Sequence, residues 1–331
     1  MRLKRLRYWI EWLGVVWLAK LVPLLPYTWL KRLAKVLGSG VYFLDRSSRQ
    51  VALANLEAAF QSGIDDQSKA RIARRSLEVF ARAFLELFWT SSLIKKPLER
   101  YISFENPEMF SQVLAETKPV IGITPHFANF EWGSALFALN GYPGTILTQR
   151  FKNNLLTEIF MRLRGSAGHA VVTQERSMLR LLKSLGRGTP VGILTDLTLK
   201  LGDPAVIIES FGLKMRVTMI HAVLHQRTGC PILPFITLPR HDGGYQVRIL
   251  PLLRFPESAS TQKIVQKCWD QFEPIIRSNP EYWLWVYKHW RYKPELDEHR
   301  YPFYANRSHR FDGELRAAAD FPTKPVNGEY E

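Results

Sequence analysis

From residue 119 onward, short runs rich in Val and Ile alternate with amphipathic segments. This alternation constrains the fold of the 331-residue chain more than any other feature. PVIGIT at 119–124 reads as a buried strand, and a helix is predicted to begin shortly after His126. GTILT at 144–148 reads as a second strand, with a helix over about 153–163. Further strands are predicted at 169–172, 190–195, 205–208, 231–236 and 245–250, and helices at 176–186, 217–228 and 261–278. Strands separated by helices and short loops imply an α/β domain, a central mixed sheet covered by helices.

The first third of the chain has a different texture. Between about 46 and 95 the pattern is helical, and Leu77, Phe80, Phe84, Leu87 and Phe88 form one apolar stripe, read here as helix packing. Ahead of it, Arg2, Lys4, Arg5 and Arg7 precede an apolar stretch interrupted by Glu11, Lys20, Pro23 and Pro26. A spanning helix needs about 20 predominantly apolar residues, so this stretch makes a poor one. Trp9, Trp12 and Trp17 with their basic flanks suit a helix lying in the headgroup layer of a membrane. The expected organisation is a membrane-associated helical segment at 1–45, an α/β domain at 46–295 with a helical lead-in to 117, and a polar, irregular extension at 296–331.

Charge points the same way. Lys and Arg total 45 against 30 acidic residues, a formal net charge of +15. Such a surface favours anionic partners, among them lipid headgroups and acidic proteins. Cys230 and Cys268 are isolated, which suggests neither a disulfide framework nor a thiolate zinc site.

PHFANFE at 125–131 carries the strongest chemical signal. A strand ends at Thr124, His126 sits in the following turn, Asn129 suits the helix N-cap, and Glu131 falls in the first helical turn. Residues five apart on one continuous helix differ by roughly 140°, so His126 and Glu131 can meet only if the histidine lies ahead of the helix and folds back. In that geometry Glu131 is expected to hold the imidazole N–H while His126 deprotonates an alcohol attacking an activated acyl group. There is no G-x-S-x-G elbow, and a thioester donor needs no protein nucleophile.

At these residues the chain resembles a known family. The segment is similar to the H-x4-[DE] motif of the lysophospholipid acyltransferase superfamily and, more narrowly, to the lipid A late acyltransferases, the lauroyl and myristoyl transferases of Gram-negative inner membranes. RQVALANLEAAF (49–60), QRFKNNLLTEIFMRLRG (149–165), PVGILTD (190–196) and PEYWLWVYKHWRYKP (280–294) resemble further family blocks, in the same order. The resemblance implies a glycerol-phosphate-acyltransferase-like fold and His126 with Glu131 as the catalytic pair. It also implies that Arg150, Arg164 and Asp196 line the site. Arg164, with Arg162 as its competitor, would stabilise the oxyanion, and Arg150 and Lys152 would suit phosphates. Asp196 would pair with one of the arginines or cap a loop. The family pattern departs at Asp196-Leu197 and at Ser210-Phe211-Gly212, residues expected to flank the acceptor pocket.

The expected reaction is acyl transfer from acyl carrier protein or acyl-CoA to a hydroxyl of a membrane lipid, a lipid A precursor or a relative, at the cytoplasmic face of a bacterial inner membrane. The rival readings are a glycerolipid acyltransferase and a silent lipid-binding scaffold. No cofactor is inferred: Gly38-Ser39-Gly40 lacks the context of a dinucleotide loop. His221 and His225, at helical i, i+4 spacing, lack a third ligand and read as packing rather than metal binding. The aromatic–basic run from Trp283 to Tyr292 reads as a core or membrane-facing strand, not a nucleic-acid platform.

Overall fold

The computed structural model describes residues 2–319 apart from 117–118, 176, 296 and 298–299. The chain opens with four helices, α1 (Arg2–Leu21), α2 (Tyr27–Leu44), α3 (Arg46–Phe60) and α4 (Asp66–Leu93). Asp45 and Asp65 cap α3 and α4, each side chain accepting from backbone N–H groups of the first turn. The alternating part follows as β1 (Ile102–Phe104), α5 (Pro107–Glu116), β2 (Ile121–Thr124), α6 (Phe130–Leu139), β3 (Thr145–Thr148), α7 (Asn154–Gly165), β4 (Ala170–Thr173), α8 (Ser177–Gly186) and β5 (Val191–Leu194). Then come a hairpin of β6 (Ala205–Ser210) and β7 (Leu213–Thr218), α9 (Ile220–Thr228), β8 (Ile232–Pro239), β9 (Tyr245–Ile249), α10 (Thr261–Trp269), α11 (Glu273–Ser278) and, near the end, α12 (His309–Ala319).

The seven-stranded sheet has the order β1-β9-β8-β2-β5-β3-β4. From β8 to β4 the strands are parallel, whereas β8 and β9 are antiparallel, so the sheet is mixed as expected. The central strands are apolar because both sheet faces are covered: Ile121, Ile123, Val191, Ile193, Ile232 and Leu233 are all buried. The β6–β7 pair forms a separate antiparallel sheet, turned by Phe211 and Gly212, both with positive φ (54° and 74°). Two left-handed residues in succession match the twist of a tight hairpin.

Several expectations need correction. The helix predicted at 217–228 begins at Ile220, and Val217 and Thr218 belong to β7, as their β-branched side chains favour. The helix predicted at 261–278 is two, separated near Phe272 ahead of Pro274. The run from Trp283 to Tyr292 lies in the core, one of the two expected places, but not as a strand. It is mostly irregular backbone whose Trp283, Trp285 and Trp290 rings are buried. Asn55 of α3 fastens it, donating to the carbonyls of Trp285 and Tyr287 at 2.7 Å each, and Tyr304 donates to the Asn55 amide oxygen. The described part of the tail is irregular as expected up to Ser308, apart from the short strand Asn306–Arg307, but then forms α12, which packs through buried Phe311 and pairs Glu314 with buried Arg216 at 2.7 Å. Within the α4 stripe, Leu77, Leu87 and Phe88 are buried, but Phe84 is 38% exposed.

The helices at the start differ from the rest. On α1, Val15, Leu18 and Ala19 pack against the core, while Leu6, Ile10, Leu13, Trp17 and Leu21 form an exposed apolar stripe at helical spacing. On α2, Trp29, Leu33, Val36, Leu37, Val41 and Leu44 form a second. Among the described residues no helix is long and apolar enough to cross a membrane.

Candidate active site

Strand register brings the site together. β2 and β5 pair in parallel with Ile121 opposite Val191 and Thr124 opposite Leu194, a constant offset. Continued two residues past each strand, the same offset sets His126 beside Asp196. Crevices at the carboxyl ends of parallel strands are where such sheets bind ligands. The Asp196 Oδ1 accepts from His126 Nδ1 at 2.7 Å, and Oδ2 accepts from the His126 backbone N–H and from the Trp283 indole, each at 2.9 Å.

Asp196 is fully buried. Burial alone would push its carboxyl up, but the charge and hydrogen bond of His126, with help from His289 and the Trp283 indole, outweigh it and bring the pKa down to about 2. An ionised carboxylate only accepts hydrogen bonds, so Nδ1 of His126 carries a proton and donates it to Asp196, with Nε2 on the far side of the ring. Nε2 has no hydrogen-bond partner among the described residues, and the side chain is 11% exposed. Phe130 packs edge-on against the ring at 4.7 Å between centroids, which leaves the imidazole little freedom.

The expectation that Glu131 would hold the imidazole is overturned by its hydrogen bonds. Both Glu131 oxygens accept from Arg164, at 2.6 Å from Nη2 and at 2.9 and 3.1 Å from Nε. Physically, Glu131 points from the first turn of α6 toward the last turn of α7, where Arg164 sits, each charge lying at the helix end that favours it. Arg164 Nη1 also donates to Thr148 at the end of β3. Burial acts to lower the Arg164 pKa, but the Glu131 charge and hydrogen bonds prevail and raise it, so the guanidinium stays charged. These contacts use three of its five N–H groups.

The other expected residues divide. Arg162 is exposed, and Arg164 is the one of the two arginines that pairs with Glu131. Asn129 is the α6 N-cap, its side-chain oxygen accepting from Trp132 N–H at 2.9 Å. Arg150 lies on the surface beyond β3, paired with Glu175 at 2.8 Å, and Lys152 beside it is exposed. Asp196 pairs with no arginine among the described residues; it caps the turn after β2 through the His126 backbone N–H and holds the imidazole as well. His225 donates from Nδ1 to the neighbouring Cys230 carbonyl at 2.8 Å. Burial holds His221 neutral, with a pKa near 4.

Three contributions were not foreseen. Trp283 holds the orienting carboxylate and stacks on His289 (4.0 Å) and on Phe211 of the hairpin tip (5.6 Å). The hairpin tip expected to flank an acceptor pocket is therefore a buried support behind Asp196. Ala128, between the histidine and the helix, has φ of 45° and donates its N–H to the Tyr282 carbonyl at 2.8 Å. A non-glycine residue held there costs on the order of 1–3 kcal/mol and persists because its surroundings over-determine it. Glu86 of α4 lies beneath Asn129 and accepts from its side-chain amide at 2.6 Å. The blocks at 49–60 and 280–294 could have hinted at Trp283, since Asn55 of the first grips the backbone of the second.

Beneath α6, an apolar crevice of about 410 Å³, its mouth included, is lined by Gly122, Phe137, Ile146, Gly192, Leu233 and Phe235 among others. It lies toward the amino ends of the strands, under the helix that carries Glu131.

Comparison with known proteins adds an independent line. The family model described as bacterial lipid A biosynthesis acyltransferase matches residues 1–292. The chain is 25% identical over 313 residues to a lipid A biosynthesis lauroyltransferase of Escherichia coli (strain K12), covering 89% of this chain and 95% of that protein. It is 20% identical over 283 residues to a lipid A biosynthesis acyltransferase of Haemophilus influenzae (strain ATCC 51907 / DSM 11121 / KW20 / Rd), covering 85% of this chain and 87% of that protein.

Proposed function

The chain belongs to the bacterial lipid A biosynthesis acyltransferase family and is an acyltransferase, and from that premise we propose that it moves a fatty acyl group from a thioester to a hydroxyl of a lipid A precursor, with His126 as general base. The observation that carries the reading is the free Nε2 of an imidazole whose other nitrogen is committed to a buried carboxylate. Nε2 takes the proton of the acceptor hydroxyl as its oxygen attacks the thioester carbonyl. The tetrahedral intermediate then collapses, the C–S bond breaks, and the thiolate leaves with the proton returned by the imidazolium. Asp196 stabilises that imidazolium without taking a proton itself. The guanidinium of Arg164, fixed by Glu131 and Thr148, has N–H groups to spare for the developing oxyanion.

The donor is acyl carrier protein or acyl-CoA, both acidic, and the net charge of +15 speeds either encounter. Arg150 and Lys152, exposed beyond β3, meet phosphates of the acceptor or donor. The acyl chain occupies the apolar crevice. A methyl added there by Gly122→Ala, which would contact Phe235 at 3.6 Å, shifts preference toward shorter chains; an unchanged preference removes the crevice from the acyl path.

Residues 1–45 dock on the cytoplasmic leaflet of the inner membrane through the exposed stripes of α1 and α2. Their place supports this: Asn153, the N-cap of α7, donates to the Tyr8 carbonyl at 2.9 Å, so α1 abuts the loop that carries Arg150 and Lys152. Mass spectrometry of total lipids tests the function. Deletion of the gene leaves a lipid A species lighter by one acyl chain, which the wild-type gene restores and a His126→Ala version does not. An unchanged lipid profile, or restoration by the variant, overturns the reading.

A further inference from the structure

We propose that Glu86, about two turns from the end of α4 and outside the reaction centre, is a positioning residue that sets the distance between His126 and the Glu131–Arg164 pair by holding Asn129. The proposal rests on the functional reading above and concerns how that site is kept in shape.

Glu86 is fully buried and accepts four hydrogen bonds from four separate side chains. Its Oε1 accepts from the Tyr27 hydroxyl at 2.6 Å and from Arg82 Nε at 2.7 Å. Its Oε2 accepts from the Asn129 amide at 2.6 Å and from the Tyr245 hydroxyl at 2.7 Å. The backbone carbonyl of the same residue accepts from the Trp132 indole at 3.0 Å. Residue 86 therefore grips the start of α6 twice, at the N-cap and in the first turn.

The chemistry of Asn129 makes this grip specific. Its side-chain oxygen is committed to the Trp132 N–H, so its amide nitrogen must face an acceptor. Glu86 supplies one away from the surface, both residues being fully buried, and a carboxylate makes the stronger, charge-assisted bond. His126 lies three residues before this anchor and Glu131 two after it, with the left-handed Ala128 between. A turn held in an uncommon conformation returns to an easier one when an anchor is lost. Misplacing catalytic groups by about 1 Å can cost on the order of 100-fold in rate.

A network that merely glues α2, α4 and β9 together would also look buried and satisfied, so the test must separate the two roles. Glu86→Gln turns an amide N–H toward the Asn129 amide, and Asn129→Asp sets two carboxylates against each other. Combining the two substitutions reverses the order of donor and acceptor and repairs the contact. The amide introduced at position 86 then donates to the carboxylate introduced at position 129, whose other oxygen still caps Trp132. Tyr245→Phe removes a hydrogen bond from the same carboxylate without touching Asn129.

The experiment measures acyl transfer by the purified full chain from acyl–acyl carrier protein to a lipid A precursor in mixed micelles, together with thermal melts. The expected result is a loss of kcat of roughly tenfold or more in Glu86→Gln and in Asn129→Asp, with KM little changed. The double variant recovers most of that loss, and Tyr245→Phe lowers the melting temperature while kcat stays within about twofold of the parent. The proposal is overturned if Glu86→Gln keeps its kcat, if the double variant is no better than the worse single one, or if kcat falls in Tyr245→Phe as far as in Glu86→Gln. His126→Ala run alongside separates this failure from failure of the functional reading, since it removes transfer whether or not Glu86 positions the turn.

Discussion

The carboxyl edge of the sheet and the outer face of α1 and α2 are built on opposite principles. At the sheet edge, polar groups are buried and matched: Asp196 accepts three hydrogen bonds, and Glu131 and Arg164 satisfy one another. On the two helices the unmatched groups are apolar, with Trp17 at 59% and Trp29 at 60% exposure. A buried polar group left unpaired costs on the order of 1–3 kcal/mol, so the first region tolerates one arrangement only. Exposed apolar stripes impose no such uniqueness, and on the reading proposed above their complement is a lipid interface. The proposed function gives chemistry to the first region and placement to the second, and substitutions that touch only one of them break or sharpen that contrast.

The largest effect is expected at Asp196. In Asp196→Asn the amide no longer stabilises an imidazolium and permits the wrong tautomer, so kcat falls by on the order of 10³–10⁴-fold while vesicle binding is unchanged. Kinetics and vesicle co-sedimentation on the same preparation check both halves. The pair also carries a stability signature. The Asp196 pKa is depressed to about 2 from an ordinary value of 3.8, so its contribution is fully present above pH ~4 and is lost as the pH falls through 2. A depression of that size corresponds to about 2 kcal/mol, and the stability gap between wild type and Asp196→Asn narrows over that window in acid melts. A gap that is constant with pH contradicts the assigned ionisation.

A smaller effect, in the opposite region, follows from Leu13→Asp with Trp17→Asp. Both side chains face outward, so the fold is retained. Burying such side chains in an interface is worth roughly 1.5–3 kcal/mol each, so partition onto anionic vesicles falls by at least about tenfold. The rate with substrates presented in detergent micelles stays near that of the parent. Loss of micellar activity with vesicle binding intact would invert the assignment.

How much of this could be read from residues alone depends on whether the cause is local. The strands at 121–124, 145–148 and 191–194 were legible because each is a short apolar run bounded by turn residues. The position of His126 after a strand and the Asn129 cap were legible for the same reason. The choice of partner was not. Glu131 is near His126 in sequence, but Asp196 reaches it only because β5 inserts beside β2, and strand order is a tertiary outcome. Glu86 was hidden inside an apolar stripe that reads as ordinary packing. A glutamate flanked by Leu85 and Leu87, with Arg82 one turn before it, was the available sign of a buried charge. The indoles of 283–290 stayed open between a membrane interface and the core, where they lie, because tryptophan-rich runs suit both and composition does not choose between them.

The pairing of His126 with Asp196 is tested most directly by nitrogen-15 and proton NMR of the histidine side chains. The account predicts a strongly hydrogen-bonded Nδ1 proton on His126 that survives Glu131→Gln and vanishes in Asp196→Asn. A proton lost in Glu131→Gln and retained in Asp196→Asn would contradict it.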